Sequence, residues 1–211
     1  AVKGEKQVTK GTYYSKLTAP CLDACPIHLD IPKYIELIKD TKFAESLTVI
    51  RERLPLAGIV GRVCFRPCEK HCRRGNLDEP ISIKALKRFV ADHEVSEQKE
   101  PEYEVTPSEN NGNVAIVGAG PAGITCAYHL ARNGHEVTIY ESLDEPGGMS
   151  AVGIPDYRLP RNILQREVQQ IQKMGVSINY GQAIGKDLTL SQLETDFVAG
   201  PAVNQMNIFF G

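Results

Sequence analysis

Five of the chain's six cysteines, Cys21, Cys25, Cys64, Cys68 and Cys72, crowd into its first 72 residues. The glycine-rich run Asn113-Val-Ala-Ile-Val-Gly-Ala-Gly-Pro-Ala-Gly123 follows them downstream. Each signature demands its own surroundings. Converging thiols suit short helices and loops, whereas the glycine turn needs a strand before it and a helix after it. A chain of 211 residues suits one or two domains, and this segregation favours two. The predicted fold class is α + α/β: an all-helical cysteine domain over residues 1–94, a linker over 95–112, and the first half of a parallel, Rossmann-like sheet domain over 113–211.

Residues 1–20 are polar and predict an extended arm. Asp30 is a suitable N-cap, Pro32 suits a first turn, and Ile31, Tyr34, Ile35 and Ile38 recur at helical spacing. A second helix is predicted from Thr41 and a Gly- and Cys-rich loop from Pro55 to Gly75. A third helix, Ile81 to His93, is predicted to bury Ile83, Leu86, Phe89 and Val90 and to expose Lys84, Lys87 and Arg88. The acidic, proline-containing stretch 95–112 lacks apolar rhythm and reads as a linker or a surface segment. Beyond it, the predicted order is strand Val114–Val117, helix Ala122–Asn133, strand Glu136–Tyr140, helix Asn162–Met174 and strand Val176–Tyr180. That alternation argues for a parallel sheet with right-handed crossovers.

Gly118, Gly120 and Gly123 spell Gly-x-Gly-x-x-Gly. The first glycine permits the turn, the second lets backbone approach a pyrophosphate, and the third lets helix pack closely on strand. Pro121 and Ala122 open the helix, whose unpaired amides favour an anion. Glu141 follows by about 20 residues, where a carboxylate can accept from a ribose hydroxyl, with Ser142 beside it. A second glycine pair, Gly147-Gly148-Met149, would let a flavin's phosphate–ribitol region pass the backbone. FAD is therefore favoured over NAD. Cys126, in the helix after the turn, reads as a small packing residue.

The cysteines stand at three-residue spacings in Pro20-Cys21-Leu-Asp-Ala-Cys25-Pro26 and Cys64-Phe-Arg-Pro-Cys68-Glu-Lys-His-Cys72. Proline after a ligating cysteine recurs in ferredoxins, and nearby Arg62, Arg66, Lys70, Arg73 and Arg74 would offset the charge of thiolate-bound iron. Structural zinc is the competing reading, but its pairs usually enclose two residues. His71 reads as a surface residue or one behind the ligands. Five thiols leave two alternatives: one [4Fe-4S] cluster with a spare thiol, or two clusters with non-cysteine ligands. A metal-cluster unit joined to a flavin-type unit implies traffic between a one-electron and a two-electron carrier.

Net charge of −2 makes no case for nucleic acid or an anionic membrane, and no apolar run reaches the ~20 residues of a spanning helix. The opening residues lack an export signal, which predicts a cytoplasmic protein with free thiols.

Four runs carry a resemblance: Cys21-x-x-x-Cys25-Pro-Ile-His-Leu-Asp-Ile-Pro32, Gly61-Arg-Val-Cys-Phe-Arg-Pro-Cys-Glu-Lys-His-Cys-Arg-Arg74, Ile83-Lys-Ala-Leu-Lys-Arg-Phe89 and Val117-Gly-Ala-Gly-Pro-Ala-Gly123. Gly153-Ile-Pro-Asp-Tyr-Arg-Leu-Pro160 also matches. Over roughly residues 15–197 the chain resembles the small (beta) subunit of NADPH-dependent glutamate synthase and its relatives, which include the N-terminal half of dihydropyrimidine dehydrogenase. The resemblance implies a helical iron–sulfur domain beside an FAD domain that carries an inserted NAD(P)H domain. It implies that Gly118, Gly120, Gly123, Glu141, Gly148 and Arg158 contact FAD. It also implies that Cys25, Cys64 and Cys68 ligate one cluster while Cys21 and Cys72 match ligands of another. No side chain is expected to act as acid, base or nucleophile, because the cofactors supply the chemistry.

Two departures stand out. Ser15–Ala19 offers none of the upstream cysteines that glutamate synthase beta subunits carry, and Lys87 stands where dihydropyrimidine dehydrogenase uses a glutamine ligand. The chain also shows no second glycine turn after Phe197, so NAD(P)H is expected to bind outside this segment. The resemblance therefore implies an NAD(P)H-dependent oxidoreductase that works with the rest of the flavoprotein or an electron-acceptor subunit as a hetero-oligomer. The alternative is a relay or assembly subunit without its own NAD(P)H site.

Overall fold

The computed structural model describes residues 19–101, 103, 105–106, 112–197 and 208–210. Most of the predicted N-terminal arm lies outside them. The chain divides into two units, Ala1–Glu97 and Gln98–Gly211.

The first unit is helical. It contains α1 (Pro20–Asp23), α2 (Ile31–Lys39), α3 (Phe43–Arg51), α4 (Ala57–Val63), α5 (Pro67–Lys70), a 3-10 turn (Arg73–Asn76) and α6 (Ile83–Ser96). Asp30 caps α2 as expected, its carboxylate accepting from the Lys33 N–H at 3.1 Å. The second helix starts at Phe43 rather than Thr41, because Thr41 adopts φ 58° in the turn between helices. Leu29, Ile31, Tyr34, Leu47, Ile50, Ile83 and Val90 form the core, with Cys68 packed among them. Fully buried Tyr34 donates its hydroxyl to the Ile83 carbonyl, and Ser46 donates to the Tyr34 carbonyl.

Two sequence expectations fail here. The segment Pro55–Gly75 is no continuous loop: it holds α4, α5 and the 3-10 turn. Gly58 and Gly61 weaken the helical pattern, but Gly61 has a packing reason. A Cβ there would lie 3.0 Å from the Arg88 Cα, so the glycine lets α4 meet the backbone of α6. The face of α6 is also rotated from the expected one. Ile83, Lys87, Val90 and Ala91 are buried, whereas Phe89 is 46% exposed and stacks edge-on against Phe43. Lys87, expected in solvent, is only 7% exposed.

The second unit contains β1 (Asn113–Val117), α7 (Pro121–Arg132), β2 (Glu136–Tyr140), α8 (Met149–Val152), α9 (Arg161–Gln172), β3 (Ser177–Asn179), α10 (Leu190–Asp196) and β4 (Ile208–Phe210). The strands are parallel, in the order β3-β2-β1-β4. Val114, Ala115 and Ile116 of β1 and Val137 and Ile139 of β2 are buried, as are Ile124, Ala127 and Tyr128 of α7 and Leu164, Val168 and Ile171 of α9. β4, unanticipated in the sequence, pairs with β1 on the side opposite β2. The order therefore reverses at β1, which puts a topological switch point beyond its carboxyl end. Residues from the expected linker belong to this unit: Lys99 accepts from Arg166, Glu100 pairs with Lys173 at 2.8 Å, and the Thr106 N–H donates to Arg132.

Candidate cluster and dinucleotide sites

The helical unit positions every one of the five N-terminal thiols. Cys21 lies in α1 and Cys25 just after it, Cys64 caps the end of α4, Cys68 lies within α5, and Cys72 precedes the 3-10 turn. All are unpaired; Cys68 is buried and the others half-buried. Burial pushes the Cys68 thiol up to about 11, with Cys64 and Cys25 adding to the rise and Lys87 opposing it. The Cys21 thiol is raised first by burial, then by Cys72 and Cys25. Cys25 thus acts electrostatically on both Cys68 and Cys21.

The donor set suits a polynuclear iron centre. Arg66 adopts φ 54° after Cys64 and donates its N–H to the Cys64 Sγ at 3.3 Å, the kind of bond that tunes a ligating sulfur. Among the described residues no His, Cys, Asp or Glu group forms a single-ion site. A cubane, by contrast, gives each iron its own thiolate and takes ligands spread around a cluster. His71 is exposed and meets the Pro67 carbonyl at 3.0 Å, in line with its reading as a surface residue.

The basic residues divide unexpectedly. Arg62 pairs with Asp92 at 2.6 Å, Arg66 with Glu69 at 3.5 Å, and Arg74 with Asp78 at 2.7 Å. Their charges are largely met by their own carboxylates. Lys87 is buried in the stripe of α6 that shares a core with Cys68; burial disfavours its ammonium, and Cys64, Cys25 and Cys68 favour it. The resemblance sets Lys87 at a ligand position, but its helical pattern reads as solvated, and its burial corrects that.

In the second unit the glycine turn follows β1. Gly118 has φ 98°, and a Cβ on Gly123 would collide with the Gly118 carbonyl oxygen, which explains the third glycine. Gly120 has nothing within 4 Å of its Cβ position, leaving open space beside the turn. Pro121 and Ala122 are exposed in the first turn of α7, where helix amides lack intrahelical partners. The Gly147 N–H donates to the Ala119 carbonyl at 2.7 Å, and a Cβ on Gly148 would come within 3.1 Å of the Gly120 Cα. The second glycine pair is thus folded against the first.

Glu141 is 5% exposed. Its Oε2 accepts from the Ala119 N–H at 2.6 Å, and its Oε1 accepts from the Ser142 hydroxyl and the Leu143 N–H. A carboxylate offers about four acceptor positions, so a ribose hydroxyl could still be received. Met149 is 72% exposed on α8, and Arg158 is exposed with its backbone N–H bonded to Pro155. Arg161, absent from the sequence expectations, donates to the Ser150 and Ala151 carbonyls and so fixes the Gly148 segment. Cys126 is half-buried beyond this constellation.

Free thiols in a helical unit and a nucleotide turn at a sheet's switch point define an iron–sulfur, dinucleotide-binding class of protein. Comparison with known families gives the same division. Residues 14–99 match the family described as dihydropyrimidine dehydrogenase domain II, 4Fe-4S cluster, and residues 116–174 match the NAD(P)-binding Rossmann-like domain. The two matches fall one after the other along this chain, on the helical unit and on the sheet unit. It is 50% identical over 208 residues to the NADP(+)-dependent formate dehydrogenase subunit beta of Moorella thermoacetica, covering 89% of this chain and 29% of that one. It is 52% identical to the NADPH-Fe(3+) oxidoreductase subunit beta of Geobacter sulfurreducens, covering 89% and 28%. The dihydropyrimidine dehydrogenase subunit PreT of Escherichia coli O157:H7 is 42% identical, with 84% and 43% covered. The chain therefore spans less than half the length of each of these relatives.

Proposed function

We propose that this chain is the iron–sulfur and FAD-binding part of an NAD(P)H-dependent oxidoreductase that passes electrons to a partner acceptor. The observation that carries it is the joining of five unpaired, grouped thiols to a dinucleotide turn at a switch point. When bound, FAD would accept hydride from nicotinamide and the cluster would accept single electrons. Cys25, Cys64 and Cys68 would hold a [4Fe-4S] cluster, and Cys21 and Cys72 match ligands of another or complete the first. Gly118, Gly120, Pro121, Ala122 and Gly123 would line the pyrophosphate. Glu141 and Ser142 would meet the ribose, and Gly147, Gly148, Met149 and Arg158 would border the flavin side.

FAD rather than NAD in this turn is supported by the second glycine pair pressed against Gly120. NAD(P)H would bind outside the segment. Formate, ferric iron and dihydropyrimidine in the relatives' names suggest a module serving different acceptor subunits in a hetero-oligomer, and glutamate synthesis would be one more such use. No helix among the described residues is long and apolar enough to cross a membrane, and free thiols suit the cytoplasm. The test is acid extraction of the complete protein with chromatography of released nucleotide, alongside iron and acid-labile sulfide analysis. FAD with equal iron and sulfide is expected; zinc without sulfide, or no flavin, would overturn the assignment.

A further inference from the structure

We infer that Lys87 is a positioning residue for the iron centre: its buried ammonium faces the Cys25, Cys64 and Cys68 sulfurs and raises the reduction potential of the cluster they hold. The inference rests on the iron–sulfur reading above. Its warrant is geometric. Lys87 occupies the apolar stripe of α6 between Ile83 and Val90–Ala91, where a charge is expensive unless compensated. It forms none of the ion pairs found among the described residues, and its neighbours on the buried stripe, Ile83, Val90 and Ala91, share their core with Cys68. Half-buried Lys84, also near it, is like-charged.

Three contacts bring Lys87 to this place. Gly61 lets α4, which ends at Cys64, lie against the α6 backbone at Arg88. The Lys84 N–H donates to the Glu69 Oε1 at 2.9 Å, fastening the start of α6 to α5 and hence to Cys68. Cys68 itself packs in the same core as Ile83, Val90 and Ala91.

Magnitudes favour Lys87 over the arginines. Arg62, Arg66 and Arg74 are offset by their own carboxylates, and exposed Lys70 and Arg73 are screened by solvent. A partly buried charge acts at an effective dielectric constant near 20, roughly fourfold more strongly than in water. Reduction adds one electron to the centre with no bond made or broken. A fixed positive charge therefore stabilises the reduced form more than the oxidised one.

The test is an anaerobic, EPR-monitored redox titration of the complete protein with Lys87→Met and Lys87→Arg. Lys87→Met should make reduction at least tenfold less favourable, a 59 mV fall for a one-electron couple, while Lys87→Arg stays near the parent. An unshifted Lys87→Met, or equal falls in both variants, would overturn the inference. If Lys87→Met does not load iron, nitrogen-15 labelling of lysine in the parent protein decides. A weak hyperfine coupling to the reduced centre is expected; none, or one strong enough for direct ligation, would refute the role. Iron and sulfide analysis of the parent separates these failures from that of the iron–sulfur reading.

Discussion

Replacing Glu141 with alanine should destabilise the cofactor-free protein before any nucleotide is considered. The carboxylate receives the Ala119 N–H at 2.6 Å, the Leu143 N–H at 2.9 Å and the Ser142 hydroxyl at 3.1 Å. These donors fare differently when it is removed. Ser142 is exposed and Leu143 is 38% exposed, so both can turn to water. Ala119 is 0% exposed, and its N–H would be left buried without an acceptor. An unsatisfied buried donor costs about 1–3 kcal/mol, so Glu141→Ala is expected to lose about 2 kcal/mol. Glu141→Gln should lose less, because one amide oxygen can still receive Ala119 while the NH2 opposes the other donors. Urea unfolding of the flavin-free chain, followed by circular dichroism, measures both. Loss of nucleotide binding with stability unchanged within about 0.5 kcal/mol would refute the bracing role and leave Glu141 as a ligand contact alone.

Gly61→Ala should cost about 1–3 kcal/mol through overpacking against Arg88, outweighing the usual helix gain of removing a glycine, and calorimetry would show it. Arg51 and Glu94 form a bidentate pair at 2.6 Å with side chains 8% and 11% exposed; Arg51→Met alone should cost about 3 kcal/mol, and adding Glu94→Leu should recover most of it. In the metal-free protein the Cys68 thiol sits at about 11 against an ordinary 9.0, so folding gains from it in full below pH 9 and loses that gain as pH rises through 11. The stability of metal-free protein should fall less across this window in Cys68→Ala, and iodoacetamide at pH 8 should modify buried Cys68 more slowly than half-buried Cys25 or Cys64.

Legibility differed between the units for physical reasons. The β1–turn–α7 segment could be read because a glycine whose Cβ would strike backbone leaves a chemical signature, and Gly123 is such a position. The Asp30 cap was legible because its side chain acts on a neighbour three residues away. What failed depended on distant parts of the chain. α4 was hidden by Gly61, whose reason lies in α6; the buried stripe of α6 is set by the core that Ile83 and Val90 share with Cys68, while half-exposed Phe89 meets Phe43. β4 has only three residues and takes its meaning from pairing with β1. One miss was recoverable: Thr189-x-x-Gln192 forms a reciprocal capping box and announces α10 locally.

Anaerobic addition of NADPH or NADH to the complete purified protein, read by visible absorbance and low-temperature EPR, tests the proposed electron path most directly. Bleaching of a flavin band together with a reduced iron–sulfur signal that disappears in Cys64→Ser and Cys68→Ser is expected. A flavin that bleaches with no iron–sulfur signal at any potential, or a signal untouched by those substitutions, would contradict it.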